Sequence, residues 1–118
     1  MSNLKQSFKC SNHRSLFFQY FPGEGTPVVF LNGLDDSMDI WRSVTHLLSL
    51  SQPRLYVDLL GQGDSLHAEL KSDLSSNYRL TAEEQGLCLF ELLESLQIPR
   101  CSLVGNSYGG AIALWMAC

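Results

Sequence analysis

The chain has 118 residues, 45% of them hydrophobic and 17% charged, and its formal net charge is −4. This length suits one ordinary domain and not two, and the apolar content is too high for a disordered chain. Nucleic-acid binding is disfavoured because the eight lysines and arginines are scattered. The polar N-terminus lacks a signal-peptide core, and no apolar run is long enough to span a bilayer, so the expected location is cytoplasmic.

The first strands of the predicted fold lie in the apolar stretches near the N-terminus. Residues 14–21 are rich in β-forming residues and lead into a Gly- and Pro-rich segment at 21–27, which predicts a strand and then a turn. The short apolar run 28–31 is typical of a strand that is buried on both faces of a parallel sheet.

A helix is predicted over residues 38–50, with Asp36 or Ser37 as its N-cap. Its apolar positions at helical spacing are Trp41, Val44, Leu47 and Leu48. Asp35, Asp36 and Asp39 form an acidic cluster at its start. A helix N-terminus explains such a cluster better than a metal site does, because acids there complement the helix dipole.

A second buried strand is predicted over residues 54–60, and the glycine-rich sequence GQGDS closes it. This turn lacks the third glycine of a dinucleotide fingerprint and is not expected to open onto a helix, so a structural turn is favoured over nucleotide binding. The polar, serine-rich residues 66–78 predict a loop.

A helix with its own start and stop signals is predicted over residues 81–97. Thr81 and Glu84 have capping-box spacing, and Ile98-Pro99 ends the helix. Gly86 costs about 1 kcal/mol relative to alanine, which suggests a close backbone approach at that point. The apolar face consists of Leu89, Leu92, Leu93 and Leu96.

The cysteines predict neither a metal site nor a disulfide framework. Cys10, Cys88, Cys101 and Cys118 form no C-x-x-C pair and have no histidine at metal-ligand spacing. We therefore expect reduced, mostly buried thiols, with no metal and no cofactor. A disulfide framework is the less favoured alternative.

A third buried strand over residues 101–106 and a helix over 108–118 complete the pattern. A strand hairpin followed by three strand–helix pairs predicts an α/β fold, with a mainly parallel sheet and flanking helices. In such sheets ligands bind at the carboxyl ends of the strands. The sequences NGLDD, GQGDS and GNSYGG all fall at those ends.

The sequence LVGNSYGG contains Gly105, Ser107 and Gly109 in the spacing G-x-S-x-G. The pattern follows an apolar strand and opens an apolar helix, which is the context of an activated serine on a strained turn. The glycines leave room where strand and helix meet, and the helix N-terminus directs N–H groups toward the site. A plain helix cap at Ser107 is the alternative.

The loop after the first parallel strand is the candidate for a second donor to an oxyanion. Gly33 permits the unusual backbone geometry that such a donor requires, while an ordinary Asn-Gly turn is the alternative.

Three segments together resemble the N-terminal half of an α/β-hydrolase-fold protein: VVFLNGLDDSMDIW, VDLLGQGDS and LVGNSYGG. The resemblance implies that Ser107 is the nucleophile and that the backbone N–H groups of Leu34 and Tyr108 form the oxyanion hole. The resemblance also implies that five residues support the sharp turn at the nucleophile, called the elbow, and the turn after the first parallel strand: Asn32, Gly33, Gly105, Asn106 and Gly109.

This chain departs from the family pattern at two positions. Asn32 and Gln62 each stand where the family often has histidine, and neither position carries the proton transfer. A serine at the elbow argues against the dehalogenase branch, which uses aspartate there.

In the family the triad runs serine, acid, histidine in chain order, and the last two follow later strands. Residues 1–118 are therefore expected to form one incomplete domain, with 1–14 as an N-terminal extension and without the C-terminal strands and the cap. Such a fragment is expected to be inactive. His67 is the one upstream histidine near the carboxyl end of the predicted sheet, and a surface histidine is the favoured interpretation. His13 precedes the predicted hairpin, and His46 lies on a polar or boundary face of the first helix.

The leading hypothesis is a serine hydrolase that acts on a small-molecule ester, thioester or amide through an acyl-Ser107 intermediate. A non-catalytic binding or interaction module is the alternative, and an acyltransferase or lyase is a further one. The strand that carries Ser107 is expected to leave one sheet edge unpaired, where self-association or a complementing chain would fit.

Overall fold

The computed structural model describes residues 4–34, 36–47, 51–70 and 80–118, with the backbone alone for 67–70. Along this part of the chain, strands and helices follow one another in the order β1 (Gln6–Lys9), β2 (Ser15–Phe21), β3 (Val28–Leu31), α1 (Asp39–Thr45), β4 (Arg54–Asp58), α2 (Gly63–Leu70), α3 (Ala82–Ser95), β5 (Ser102–Gly105) and α4 (Tyr108–Ala117).

The strands form one mixed sheet in the order β1-β2-β4-β3-β5. β3 is parallel to both neighbours, with Val28 opposite Arg54 of β4 and Ser102 of β5. β2 is antiparallel to β4 and to β1, which lies within the segment predicted as an N-terminal extension. The predicted α/β class is confirmed, and the carboxyl ends of β3, β4 and β5 lie at the same edge of the sheet.

Alternate residues of the central strands fill two apolar layers. On one face, strand residues pack against α3 and α4, and this core includes Val29, Leu31, Leu55, Val57, Leu89, Leu92 and Ile112. On the other face, Phe30 and Tyr56 stack with ring centroids 5.1 Å apart and contact α1 through Met38 and Trp41. Burial of each large side chain stabilises the fold by about 1.5–3 kcal/mol, so the sheet is held from both faces.

β5 differs from the predicted buried strand. It is the last strand of the sheet order, and its residues are mostly exposed, with Val104 38% exposed. No described strand pairs with its outer edge, so its apolar sequence is not matched by burial in this part of the chain. The unpaired edge that the sequence predicts is present among the described residues.

The predicted α1 is wrong in length, cap and buried face. The helix covers Asp39–Thr45, and its N-cap is Met38, not Asp36 or Ser37. Val44 is 50% exposed and Leu47 76% exposed, whereas Met38 and Thr45 are buried. Trp41 packs on the inner face as predicted, but Met38 and Thr45 accompany it there in place of Val44 and Leu47. The Thr45 hydroxyl hydrogen-bonds the Tyr56 hydroxyl at 2.7 Å. Asp35 and Leu48 lie outside the described residues.

α2 replaces part of the predicted loop. The helix covers Gly63–Leu70, so the GQGDS turn does open onto a helix, and β4 ends at Asp58 rather than at residue 60. Tertiary hydrogen bonds hold its start: Ser65 Oγ donates to the Asp58 carbonyl at 2.5 Å and accepts from Phe17 N at 2.9 Å. Apolar periodicity alone therefore did not reveal it. Residues 71–78 of the predicted loop lie outside the described part.

α3 closely matches the prediction. It begins at Ala82 and ends at Ser95, and the N–H of Glu84 donates to the Thr81 hydroxyl at 3.1 Å. A side chain at Gly86 would overlap the Trp115 ring, so the glycine permits a close contact with α4. A close approach is present as expected, but it is made by side chains of α4, Trp115 and Met116, and not by backbone.

The expectation of four reduced cysteines is wrong for two of them. Cys10 and Cys88 form a disulfide that joins the β1–β2 turn to α3, with Cα atoms 5.6 Å apart, while Cys101 and Cys118 are free. The spacing gave no signal because the partners are 78 residues apart in sequence and meet only in the fold.

Alkylation of the denatured protein without reductant should therefore modify Cys101 and Cys118 and leave Cys10 and Cys88 unmodified. After reduction all four should react. Mass spectrometry of the peptides gives the count directly, and modification of Cys10 without reductant would contradict the pairing.

Candidate active site

Ser107 is held in a backbone conformation that non-glycine residues rarely adopt. Its φ is 55° and its ψ is −113°, it precedes α4 directly, and it is exposed. A side chain at Gly105 would overlap the carbonyl of Gly109, and one at Gly109 would overlap the carbonyl of Leu31. The two glycines thus allow β5, β3 and α4 to approach closely enough to force the strained turn at Ser107.

Backbone hydrogen bonds fasten this turn, the elbow, to β3. The N–H of Asn106 donates to the Leu31 carbonyl at 3.1 Å, and Gly109 N donates to the Asn106 carbonyl at 2.9 Å. Tyr108 is the first residue of α4, so its N–H is one of the donors without an intrahelical partner. The elbow therefore presents a serine and a backbone donor side by side.

The loop after β3 lies against the elbow. Asn32 is fully buried, and its Nδ2 donates to the Val57 carbonyl at 3.0 Å. A Cβ at Gly33 would lie 3.2 Å from Asn106 Nδ2, which brings the loop next to the residue before Ser107. Leu34 has a 65% exposed side chain, and its N–H forms no hydrogen bond within the described residues.

Asp58 joins the starts of α1 and α2 at the carboxyl end of β4. Its buried carboxylate accepts from Met38 N at 2.7 Å and from Asp64 N at 3.0 Å. Lys5 Nζ lies 3.7 Å from Asp58 Oδ2 and 3.0 Å from Asp64 Oδ2. Partial burial acts to lower the pKa of Lys5, but the hydrogen bond to Asp64 and the charges of Asp58, Asp39 and Asp64 raise it overall.

Two buried glutamines hold the neighbouring backbone. Gln62 Nε2 donates to the carbonyls of Gly33 at 3.0 Å and Asp36 at 2.9 Å, an orientation fixed by these acceptors. Gln85 of α3 makes a reciprocal pair with Leu60, accepting from its N–H at 3.0 Å and donating to its carbonyl at 2.8 Å. The turn after β4 is thus clamped to both α3 and the loop after β3.

Three cavities formed by described residues meet the candidate residues, and one of about 340 Å³ is lined by Ile40, Trp41, Val44, Gly105 and Asn106. A cavity of about 220 Å³ is lined by Leu34, Leu60, Gly61, Gln62, Leu80, Gln85 and Tyr108. A wider and more open one of about 730 Å³ lies along β5 and α4 and includes Ser107 and Cys101. Burial raises the pKa of the Cys101 thiol, which favours its protonated form over the nucleophilic thiolate.

The described residues bring together a serine and two backbone donors but no base. No hydrogen bond joins Ser107 to a described histidine: His13 lies in the β1–β2 turn, and His46 lines a cavity at the amino end of β4 with Arg54 and Tyr56. His67 is in α2, and its side chain lies outside the described part. Leu34 and Tyr108, the two residues expected to donate to an oxyanion, line the same cavity of about 220 Å³.

Potential metal ligands converge away from this site. Within the described residues one such trio occurs, Cys10, Cys88 and Glu91, and both sulfurs are paired with each other. The Glu91 carboxylate accepts from Ser11 N at 3.1 Å. These atoms are already engaged and lie at the β1–β2 turn. Among the described helices, none is long and apolar enough to cross a membrane.

Sequence reasoning missed the roles of Asp58, Gln62 and Gln85. Gln85 continues the apolar stripe of α3 four residues before Leu89, and a polar residue on such a stripe is a signal for a buried hydrogen bond. Asp58 and Gln62 carried no comparable signal. The partners of Asp58 lie at the starts of α1 and α2, those of Gln62 lie in the loop after β3, and all of them come together only in the fold.

Comparison with known proteins gives one family and one fold. The profile described as Alpha/beta hydrolase family matches residues 28–118. The sn-1-specific diacylglycerol lipase ABHD11 of Danio rerio is 31% identical over 115 residues, 94% of this chain and 33% of that protein. A 2-succinyl-6-hydroxy-2,4-cyclohexadiene-1-carboxylate synthase of Klebsiella pneumoniae is 34% identical over 91 residues, 77% of this chain and 32% of that protein.

A solved structure extends the likeness to the fold. A hydrolase from Pseudomonas aeruginosa superposes with a TM-score of 0.81 at 21% identity, covering 99% of this chain and 42% of that one. The chain spans about a third of the length of the two relatives named above.

Proposed function

The chain belongs to the alpha/beta hydrolase family, and we propose that it carries the nucleophile and the oxyanion donors of a serine hydrolase. The observation that carries the proposal is the backbone of Ser107, held at φ 55° between two glycines that tolerate no side chain. A strained, exposed serine at the carboxyl end of a parallel strand is suited to nucleophilic attack. The Ser107 side chain makes no cap hydrogen bond to α4, which disfavours a plain helix cap.

The proposed chemistry is acyl transfer from an ester, thioester or amide to water. Ser107 Oγ forms a bond to the carbonyl carbon, its proton passes to a base, and the carbonyl electrons move onto oxygen, where Leu34 and Tyr108 N–H groups stabilise them. Collapse expels the alcohol, thiol or amine, which takes a proton from the base. Water then cleaves acyl-Ser107 and restores the hydroxyl.

The base and its orienting acid are proposed to come from outside the 118 residues. No hydrogen bond joins Ser107 to a described histidine, and about two thirds of each named relative lies outside the matched segment, which leaves chain for both partners. The chain by itself is therefore proposed to be inactive, since a serine hydroxyl without a base is a poor nucleophile at neutral pH.

A lyase-type reaction on the same site is the second candidate, favoured by the similarity to the Klebsiella pneumoniae synthase.

The cytoplasmic location stays a prediction, and the Cys10–Cys88 disulfide weighs against it because the cytosol keeps most thiols reduced.

The test is covalent labelling of the native protein that contains these residues with an alkyl fluorophosphonate. Ser107 Oγ should displace fluoride to give one phosphonylated serine per protein, located by peptide mass spectrometry. Ser107→Ala should abolish the label, whereas Ser102→Ala, at an exposed serine of β5, should keep it. A folded native protein that takes no label would contradict the nucleophile and favour a non-catalytic binding module.

A further inference from the structure

We propose that Gln62 is a positioning residue that sets the direction of the Leu34 N–H in the oxyanion site. The inference rests on the proposed function, because this direction affects chemistry only if Ser107 is the nucleophile. Gln62 follows β4, is 6% exposed and lines the cavity of about 220 Å³ with Leu34 and Tyr108.

The side-chain amide of Gln62 spans the loop after β3. Its two N–H donors reach the carbonyl oxygens of Gly33 at 3.0 Å and Asp36 at 2.9 Å. The Gly33 oxygen also accepts from Asp36 N at 3.3 Å. One buried side chain therefore ties both ends of the turn that contains Leu34.

The Gly33 carbonyl and the Leu34 N–H belong to the same peptide unit. The described residues contain no cis peptide bond, and a trans peptide directs its C=O and N–H to opposite sides. A hydrogen bond that fixes the Gly33 oxygen on Gln62 therefore fixes the Leu34 N–H on the side away from Gln62.

Packing of the Leu34 side chain does not supply this constraint. The side chain is 65% exposed, so burial contributes little to the orientation of residue 34. Hydrogen bonds must hold the loop, and the one from Gln62 to the Gly33 oxygen acts on the peptide unit that carries the donor. This makes the amide at residue 62 a specific requirement, since an apolar side chain of the same size would fill the space without holding the carbonyls.

Variants at residue 62 separate positioning from packing. Gln62→Met keeps the size and removes both donors, and Gln62→His restores one N–H in its neutral form. Gln6→Met, on exposed strand β1, is the matched control. The readouts on the native protein are the maximal rate and the half-saturating concentration of labelling by an alkyl fluorophosphonate, with amide hydrogen exchange at Asp36 and Met38.

For Gln62→Met we expect the maximal labelling rate to fall about 10- to 100-fold, less than complete loss of an oxyanion donor, with the half-saturating concentration changed less than about twofold. Gln62→His should recover part of the rate, and Gln6→Met should match the unmodified protein. Exchange at Asp36 should accelerate at least about fivefold in Gln62→Met, because a hydrogen bond that holds its loop is lost.

The inference is overturned if Gln62→Met labels at the unmodified rate or leaves exchange at Asp36 unchanged. Failure of the unmodified protein to label would overturn the proposed function instead, and exchange would still report whether Gln62 holds the loop. A rate loss that Gln62→His does not relieve, with a raised half-saturating concentration, would indicate general structural damage and contradict positioning.

Discussion

Replacement of Asp58 by alanine is expected to lower the free energy of unfolding by about 2–5 kcal/mol, because each of the two backbone N–H groups left without its acceptor costs about 1–3 kcal/mol. The carboxylate is fully buried and accepts from the N–H groups of Met38 and Asp64. Both N–H donors lie at the starts of helices. Removal of the carboxylate therefore leaves two backbone N–H groups without an acceptor. Equilibrium urea unfolding measures the change.

Asp64→Ala is the matched control, because it removes the other carboxylate that binds Lys5. The Asp64 side chain is 51% exposed, and solvent screens its charge, so the expected loss is within about 1 kcal/mol. Asp58→Asn keeps one oxygen acceptor and should fall between the two. Equal losses for Asp58→Ala and Asp64→Ala would contradict the view that the buried carboxylate joins α1 and α2.

The features that the sequence predicts well depend on local rules. The strand at 28–31, the Thr81 cap and the Gly86 contact follow from apolar runs, capping chemistry and the small size of glycine. The elbow at Ser107 is visible because its glycines have fixed spacing. Each of these signals lies within a few residues of the feature that it predicts.

The features that the sequence does not predict depend on contacts between residues that are far apart in the chain. Cys10 meets Cys88 across 78 residues, and α2 starts where Asp58 and Phe17 converge on its first turn. Tyr56 determines which face of α1 is buried, because its hydroxyl hydrogen-bonds the hydroxyl of Thr45. The local periodicity of apolar residues could not predict these contacts, because a tertiary hydrogen bond outweighs a small difference in amphipathic pattern.

The adjacent glycines at the start of α4 are expected to respond in opposite directions to alanine. A Cβ at Gly109 would overlap the Leu31 carbonyl oxygen and lie 2.5 Å from its carbon. A Cβ at Gly110 would come no closer than 3.7 Å to its nearest neighbour, the Gly105 carbonyl oxygen. Gly109→Ala should therefore destabilise the protein by about 3 kcal/mol, near the upper range for overpacking. Gly110→Ala should stabilise it by up to about 1 kcal/mol through helix propensity.

The same pair of variants links the packing of the elbow to the chemistry of Ser107. A shift of α4 away from β3 in Gly109→Ala would relax the φ of 55° at Ser107 and move the N–H of Tyr108. Fluorophosphonate labelling should then fall by about 100-fold or more, the scale expected when an oxyanion donor is lost. Gly110→Ala should label normally, and thermal unfolding scans should show that it is folded. If Gly109→Ala is destabilised but labels at the unmodified rate, the strained turn is not needed for the reactivity of the serine.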